Sequence, residues 1–214
     1  TNWTGMIVPN GPAATALFQA ATGPRVLPGA YTVKMSKNGQ QYTAKLNVVL
    51  DPRAPYTLDE RKEQFALVTK LAGLLNHTSW AVDAMIGLRD GAGAGAAKLP
   101  AADALRKSLE SLAADMDTIR KKVVATKEGG AITGEERLRE YLGSLYGDVN
   151  GYEGKPTAEQ VARAGTLSRE LDDVVNEFQT AVKRLPELNR ALQAKGLAAL
   201  AVISEADWQK TANE

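Results

Sequence analysis

A chain of 214 residues, 44% of them hydrophobic and 24% charged, is long enough to bury a core and too apolar to be a solvated tail. Lys+Arg at 26 against Asp+Glu at 25 leave a net charge of +1, so no overall field draws in nucleic acid or an anionic membrane. Cysteine is absent, which excludes disulfides and thiolate metal sites. No run approaches the roughly 20 apolar residues that span a bilayer, so insertion into a membrane is not expected. The sequence begins at Thr1 with its first methionine at position 6 and reads as a piece of a longer polypeptide.

In chain order, Met6 to Val8 offer one short strand, followed by a stretch rich in Ala, Gly and Pro that reads as loop. "YTVKMSKNGQQYTAKLNVVLDPR", residues 31–53, is then a β-hairpin. Asn38-Gly39 is the preferred pair for a type I′ turn, because both central residues need positive φ. That turn sets Met35 opposite Tyr42, Val33 opposite Ala44 and Tyr31 opposite Leu46, all on one face; Thr32, Lys34, Thr43, Lys45 and Asn47 fall on the other. An isolated two-stranded hairpin is marginal in water, so the apolar face predicts a covering layer and a small Ig-like β element, whole or incomplete, over residues 1–53. The alternative is a hairpin packed directly on helices. Asp51-Pro52-Arg53-Ala54-Pro55 is expected to be a stiff connector.

From residue 54 to 214 the pattern is helical. The first predicted helix runs from about Leu58 to Arg89, with Leu67, Leu71, Leu74, Ala81, Met85 and Leu88 in phase and Phe65, Val68, Leu75, Val82 and Ile86 widening the stripe. A second, about 102–126, carries Leu105, Leu109, Leu112, Met116, Ile119 and Val123. A third carries Leu138, Leu142, Leu145 and Val149. The fourth starts at Pro156-Thr157 and keeps heptad phase from Ala164 to Leu192, with a break expected at Pro186. Gly196 ends it, and Ser204 before "EADW" reads as the N-cap of a last short helix. The connections "DGAGAGAAKLP", "KEGGAITG" and "NGYEGKP" are short enough to make sequential helices antiparallel neighbours. The expected fold is therefore mainly α: an antiparallel up-and-down bundle behind a small β element. Arg61, Lys62, Arg106, Lys107, Glu110, Arg169 and Asp172 are assigned to its outer faces.

Signals for chemistry are sparse. His77 is the single histidine, and one imidazole without cysteine or a second histidine does not make a zinc site. His77 reads first as a surface or packing residue, and the polar run Asn76, His77, Thr78, Ser79 inside an apolar helix reads first as packing, with lining a groove or hydrogen-bonding an adjacent loop as the alternatives. "DGAGAGAAK" lacks the spacing of a phosphate loop and follows a helix, where such a loop follows a strand. "DVNGYE" lacks the acidic ladder of a calcium loop, and Asn150-Gly151 reads instead as a helix C-cap. Pairs such as Glu135 and Glu136, or Asp172 and Asp173, are what solvated helix faces produce. Asn2-Trp3-Thr4 and Asn76-His77-Thr78 match the N-glycosylation pattern, which short chance matches also do. No catalytic residue, metal ligand or cofactor is assigned.

"GPRVLPGAYTVKMSKNGQQYTAKLNVVLDPR" is similar to a segment found late in large bacterial sortilin-like β-propeller proteins with Asp-box (BNR) repeats, often labelled glycosyl hydrolase. "LREYLGSLYGDVNGYEGKPTAEQV" and "LPELNRALQAKGL" resemble the helical region at their C-terminus. The matching positions are Pro28, Gly29, Tyr31, Val33, Gly39, Tyr42, Asp51, Pro52 and Arg53, then Leu142, Leu145, Tyr146, Val149, Asn150, Pro156, Thr157 and Gln160. The resemblance covers most of residues 24–197. No Asp-box occurs in this chain, so it carries over no catalytic residue. It implies a non-catalytic structural or protein-interaction module, extracellular or periplasmic, whose partner is the parent propeller or another protein. Two other functions are expected to compete with it. One is a ligand-binding or hydrolytic groove between the hairpin and the first helix, near Asn76, His77 and Trp80; the other is a self-associating coiled coil along the seam from Ala164 to Leu192.

Overall fold

The computed structural model of the chain describes residues 23–126 and 135–211. The element order is β1 (Gly29–Lys37), β2 (Gln40–Val48), α1 (Leu58–Ala97), α2 (Ala104–Val123), α3 (Leu138–Asn150), α4 (Ala158–Val182), α5 (Leu185–Ala194) and α6 (Glu205–Thr211). The protein is mainly α with one small antiparallel sheet. The expected strand at Met6–Val8 and the Asn2-Trp3-Thr4 match lie outside the described residues.

The hairpin has the register that its turn dictates. Asn38 and Gly39 both take positive φ, at 52° and 76°, and Tyr31 faces Leu46, Val33 faces Ala44 and Met35 faces Tyr42. Its apolar face is open: Val33 is 49%, Met35 54%, Tyr42 48% and Leu46 50% exposed. Among the described residues the sheet has two strands. The following connector is a turn closed by Ala54 N–H donating to Asp51 O at 3.0 Å, with Pro52 at the position where its fixed φ suits a turn. The Arg53 guanidinium beside Asp51 holds that carboxyl below its ordinary range.

Helix α1 has 40 residues and so runs about 60 Å. Thr57 and Glu60 start it with a reciprocal capping box. It does not end at Arg89 as expected: "DGAGAGAA" continues the helix to Ala97, and the true connection to α2 is residues 98–103. Glycine disfavours an isolated helix, but here tertiary packing holds it: a Cβ on Gly91 would meet Leu200 Cδ2 at 3.0 Å. Ala92 and Ala96 are buried, and a Cβ on Gly95 would lie 3.4 Å from Leu109 Cδ1 and 3.7 Å from Leu192 Cδ2.

The bundle is up-and-down, but the columns are three. Arg89 of α1 reaches Asp117 of α2 at 3.5 Å, and the far end of α3 meets the start of α1, where Gln64 Nε2 donates to Val149 O. So α2 and α3 lie end to end, both antiparallel to α1, where sequential antiparallel neighbours were expected. Glu140 explains the junction: its carboxylate accepts from Ala125 N at 3.2 Å and Arg137 N at 3.0 Å, tying the end of α2 to the start of α3. The third column is α4 and α5, which return alongside; Lys122 of α2 pairs with Glu177 at 2.7 Å and Asp115 pairs with Arg184. The break between them falls at residues 183–184, with Pro186 inside the first turn of α5, where its missing N–H costs little.

The core is the set of seams that the spacing defines. Leu71, Met85, Leu88, Leu109, Leu112, Met116, Leu142, Leu167, Leu171 and Phe178 are fully buried, each contributing roughly 1.5–3 kcal/mol. In α4, Val175 is buried where heptad phase points to Val174, because a straight helix drifts from a seven-residue repeat. The seam from Ala164 to Leu192 is buried within the chain, against α1, α2 and α3. Two outer-face expectations fail. Arg61 is buried at the end of the bundle, donating to Gln64 Oε1. Glu135 is buried too, accepting from Thr126 N at 3.0 Å and pairing with Arg137 at 2.8 Å.

Candidate functional site

Halfway along α1, one face carries His77, Trp80 and Asp83. Spacings of three residues put the outer two on either side of the middle one. The segment after α5 covers this row. Gly196 turns the chain with φ of 69°, and residues 197–204 cross the bundle without regular structure to α6. We call residues 197–211 the strap. Asn189 clamps its start, donating Nδ2 to Leu200 O at 2.8 Å and accepting from Leu200 N at 2.7 Å.

Three side-chain contacts then fix the strap on α1. Trp80 Nε1 donates to Ile203 O at 2.9 Å, His77 Nδ1 meets Glu205 Oε2 at 2.9 Å, and Trp208 Nε1 donates to Asp83 Oδ2 at 2.8 Å. Ser204 caps α6 as its sequence suggests, accepting from Asp207 N at 3.1 Å. The Trp80 ring lies 5.1 Å from that of His77 and meets Phe178 of α4 edge-on at 6.3 Å. The expected groove residues Asn76, His77 and Trp80 thus share two turns of α1, but their cover is the strap, where the hairpin was expected. Asn76 is half-buried beside them.

Two hydroxyls beside this arrangement are committed elsewhere. Thr78 Oγ1 donates to Leu74 O at 2.7 Å and Ser204 Oγ to Asp207 Oδ2 at 2.7 Å, so neither is aimed at the imidazole. The His77–Glu205 pair is a clasp between two elements. Among the described residues no group of three or more His, Asp or Glu side chains is placed to hold a metal ion. Sequence reasoning missed Asp83, Glu205 and Trp208 as a set; the tryptophan in a short, otherwise polar terminal helix was the available signal, because a buried indole N–H needs an acceptor.

A second polar cluster sits where the bundle meets the base of the hairpin. The Gln64 carboxamide donates to Val149 O and Tyr152 O and accepts from Gly154 N at 3.4 Å. Asn150 donates to Gly23 O at 3.3 Å and accepts from Arg25 N at 3.3 Å, while Glu153 pairs with Arg25 at 3.5 Å and accepts from the Tyr56 hydroxyl. The α3–α4 loop is therefore a socket joining α1 to the residues on both sides of the sheet. Asn150-Gly151 does terminate α3, but Gly151 has φ of −75°; a Cβ there would meet Gly147 O at 2.8 Å, so close approach, not left-handed backbone, requires glycine. Nearby Tyr146 is buried and its hydroxyl is pushed up to about 12 by desolvation.

A shallow groove of about 530 Å³ lies between α2 and α5, with Lys107, Ser108, Ser111, Arg184 and Glu187 on its walls. No helix among the described residues is long and apolar enough to cross a membrane. Comparison with protein-family models, curated proteins and solved structures finds no match.

Proposed function

We propose that this chain is a non-catalytic structural and protein-interaction module of a larger secreted bacterial β-propeller protein, working outside the cell or in the periplasm. The observation that carries the reading is the contrast in the hairpin: an apolar face of Val33, Met35, Tyr42 and Leu46, each about half exposed, beside helical seams that are closed on themselves. An open face of that kind on a pair of strands needs a covering layer. The parent propeller is the partner that the resemblance over residues 24–197 suggests. Paired Lys34, Thr43, Thr32 and Lys45 on the opposite face keep that side solvated and leave the apolar side for docking.

The test is to mix this chain with the separately expressed propeller and measure association by calorimetry. Binding that Met35→Asp weakens at least tenfold supports the reading. Absence of binding, together with hydrolytic activity in this chain alone, overturns it.

A further inference from the structure

Two Asn-Gly pairs fall among the described residues, and the fold treats them in opposite ways; a third, Asn10-Gly11, lies outside them. Asn150-Gly151 ends α3 inside the socket. Asn150 is 8% exposed, and its carboxamide both donates to Gly23 O and accepts from Arg25 N. Asn38-Gly39 stands at the tip of the hairpin, in a stretch where every residue from Thr32 to Asn47 is exposed. Its carboxamide has no hydrogen-bond partner among the described residues, and a Cβ on Gly39 would find nothing within 4 Å. Asparagine before glycine is the pair in which the main chain can attack its own side chain, because glycine leaves the attacking nitrogen unshielded.

We propose that Asn38 is a site of self-modification, losing its amide through a cyclic imide formed with Gly39, while Asn150 is held intact by burial and hydrogen bonding. The Gly39 nitrogen bonds to Asn38 Cγ, the bond from Cγ to Nδ2 breaks, and Nδ2 leaves as ammonia with the proton that the Gly39 nitrogen gives up. Water then opens the imide and returns a proton to that nitrogen. Attack of water at Cγ leaves aspartate at position 38, which suits the same type I′ turn. Attack at the main-chain carbonyl leaves isoaspartate, which routes the main chain through Cγ and lengthens the turn by a methylene. Because turn geometry fixes hairpin register, this second product uncouples Met35 from Tyr42 and Val33 from Ala44 on the apolar face. The tip can bend to bring the Gly39 nitrogen to Cγ, since a stretch with so few buried contacts opens at little cost. The inference does not rest on what the hairpin face docks against.

The experiment is to hold the full chain, folded, in warm and mildly alkaline buffer and to map its tryptic peptides by mass spectrometry over time, against a sample not incubated. Cleavage after Lys37 and Lys45 isolates residues 38–45, and cleavage after Arg139 and Arg163 isolates residues 140–163. Fragmentation then reads each asparagine apart from the glutamines beside it. In the folded chain Asn38 is expected to convert at least tenfold faster than Asn150, to aspartate and isoaspartate together. In denaturant the two rates should become comparable, since both asparagines precede glycine. A smaller difference than tenfold in the folded chain overturns the proposal, as does an Asn38 that outlasts Asn150. A difference that persists undiminished in denaturant overturns it too, because the fold is then not its cause.

Discussion

The hairpin and the bundle are built from apolar patterns of equal clarity, yet one is open and the other closed. Period-two alternation in a pair of strands makes a flat face that nothing within the pair can cover, whereas three amphipathic columns cover one another. The difference shows that a regular apolar pattern specifies an element and a face, and that burial depends on how many such faces are available. It also predicts unequal responses to substitution in the two regions.

The largest effect belongs in the bundle. Leu109 is fully buried against the small residues of α1, so Leu109→Ala should cost about 2–5 kcal/mol, read as a lowered midpoint of helical circular dichroism in denaturant. Next comes the socket, where the two regions meet: Gln64→Ala leaves the loop groups that it bonds without partners and should cost about 1–3 kcal/mol. Hydrogen exchange should then accelerate at Gly154 and through residues 23–25 together; acceleration at Gly154 alone would mean the hairpin base is not held through this loop.

A pH dependence separates the regions further. Lys121 and Arg120 beside Asp117 hold its carboxyl down at about 2. A depressed carboxyl stabilises the fold above its unfolded value near 4, and that contribution is lost as pH falls from about 4 to 2. It amounts to about 2 kcal/mol at most, and Asp117→Asn should flatten the acid limb of the helical unfolding curve without altering the hairpin. The smallest effect is expected from Val33→Asp. On a half-exposed face it should shift the helical midpoint by less than about 0.5 kcal/mol; helices melting along with the strands would show one cooperative unit.

Much of this was legible in residue spacing, and what was not has particular causes. The turn at Asn38-Gly39 fixed a register correctly because φ is a local property, and the leucine seams named the core because burial follows periodicity. The length of α1 is hidden by Gly91, Gly93 and Gly95, whose local propensity argues for a loop, while packing of Leu200 at Gly91 and of Leu109 and Leu192 at Gly95 holds the helix. Arg61 and Glu135 read as outer-face residues because charge alone does not reveal their cover: Arg61 donates to Gln64, which is itself bonded to a loop 85–90 residues away, and Glu135 accepts from Thr126 N just past the end of α2. His77 and Trp80 were singled out by their polarity, while their partners at 203–208 are over 120 residues distant and leave no local trace.

The glycines of α1 also bear on the order in which the molecule assembles. A stretch with Gly91, Gly93 and Gly95 has little tendency to be helical alone, each glycine disfavouring it by about 1 kcal/mol relative to alanine. Those last turns can form only as the side chains of α2, α5 and the strap arrive, whereas residues 67–88 carry their own strong pattern. Folding should then nucleate in the middle of α1 and finish at its far end. Gly93→Ala, at a position with open space around it, should slow unfolding and leave the folding rate nearly unchanged, because the transition state has not yet built that part of the helix.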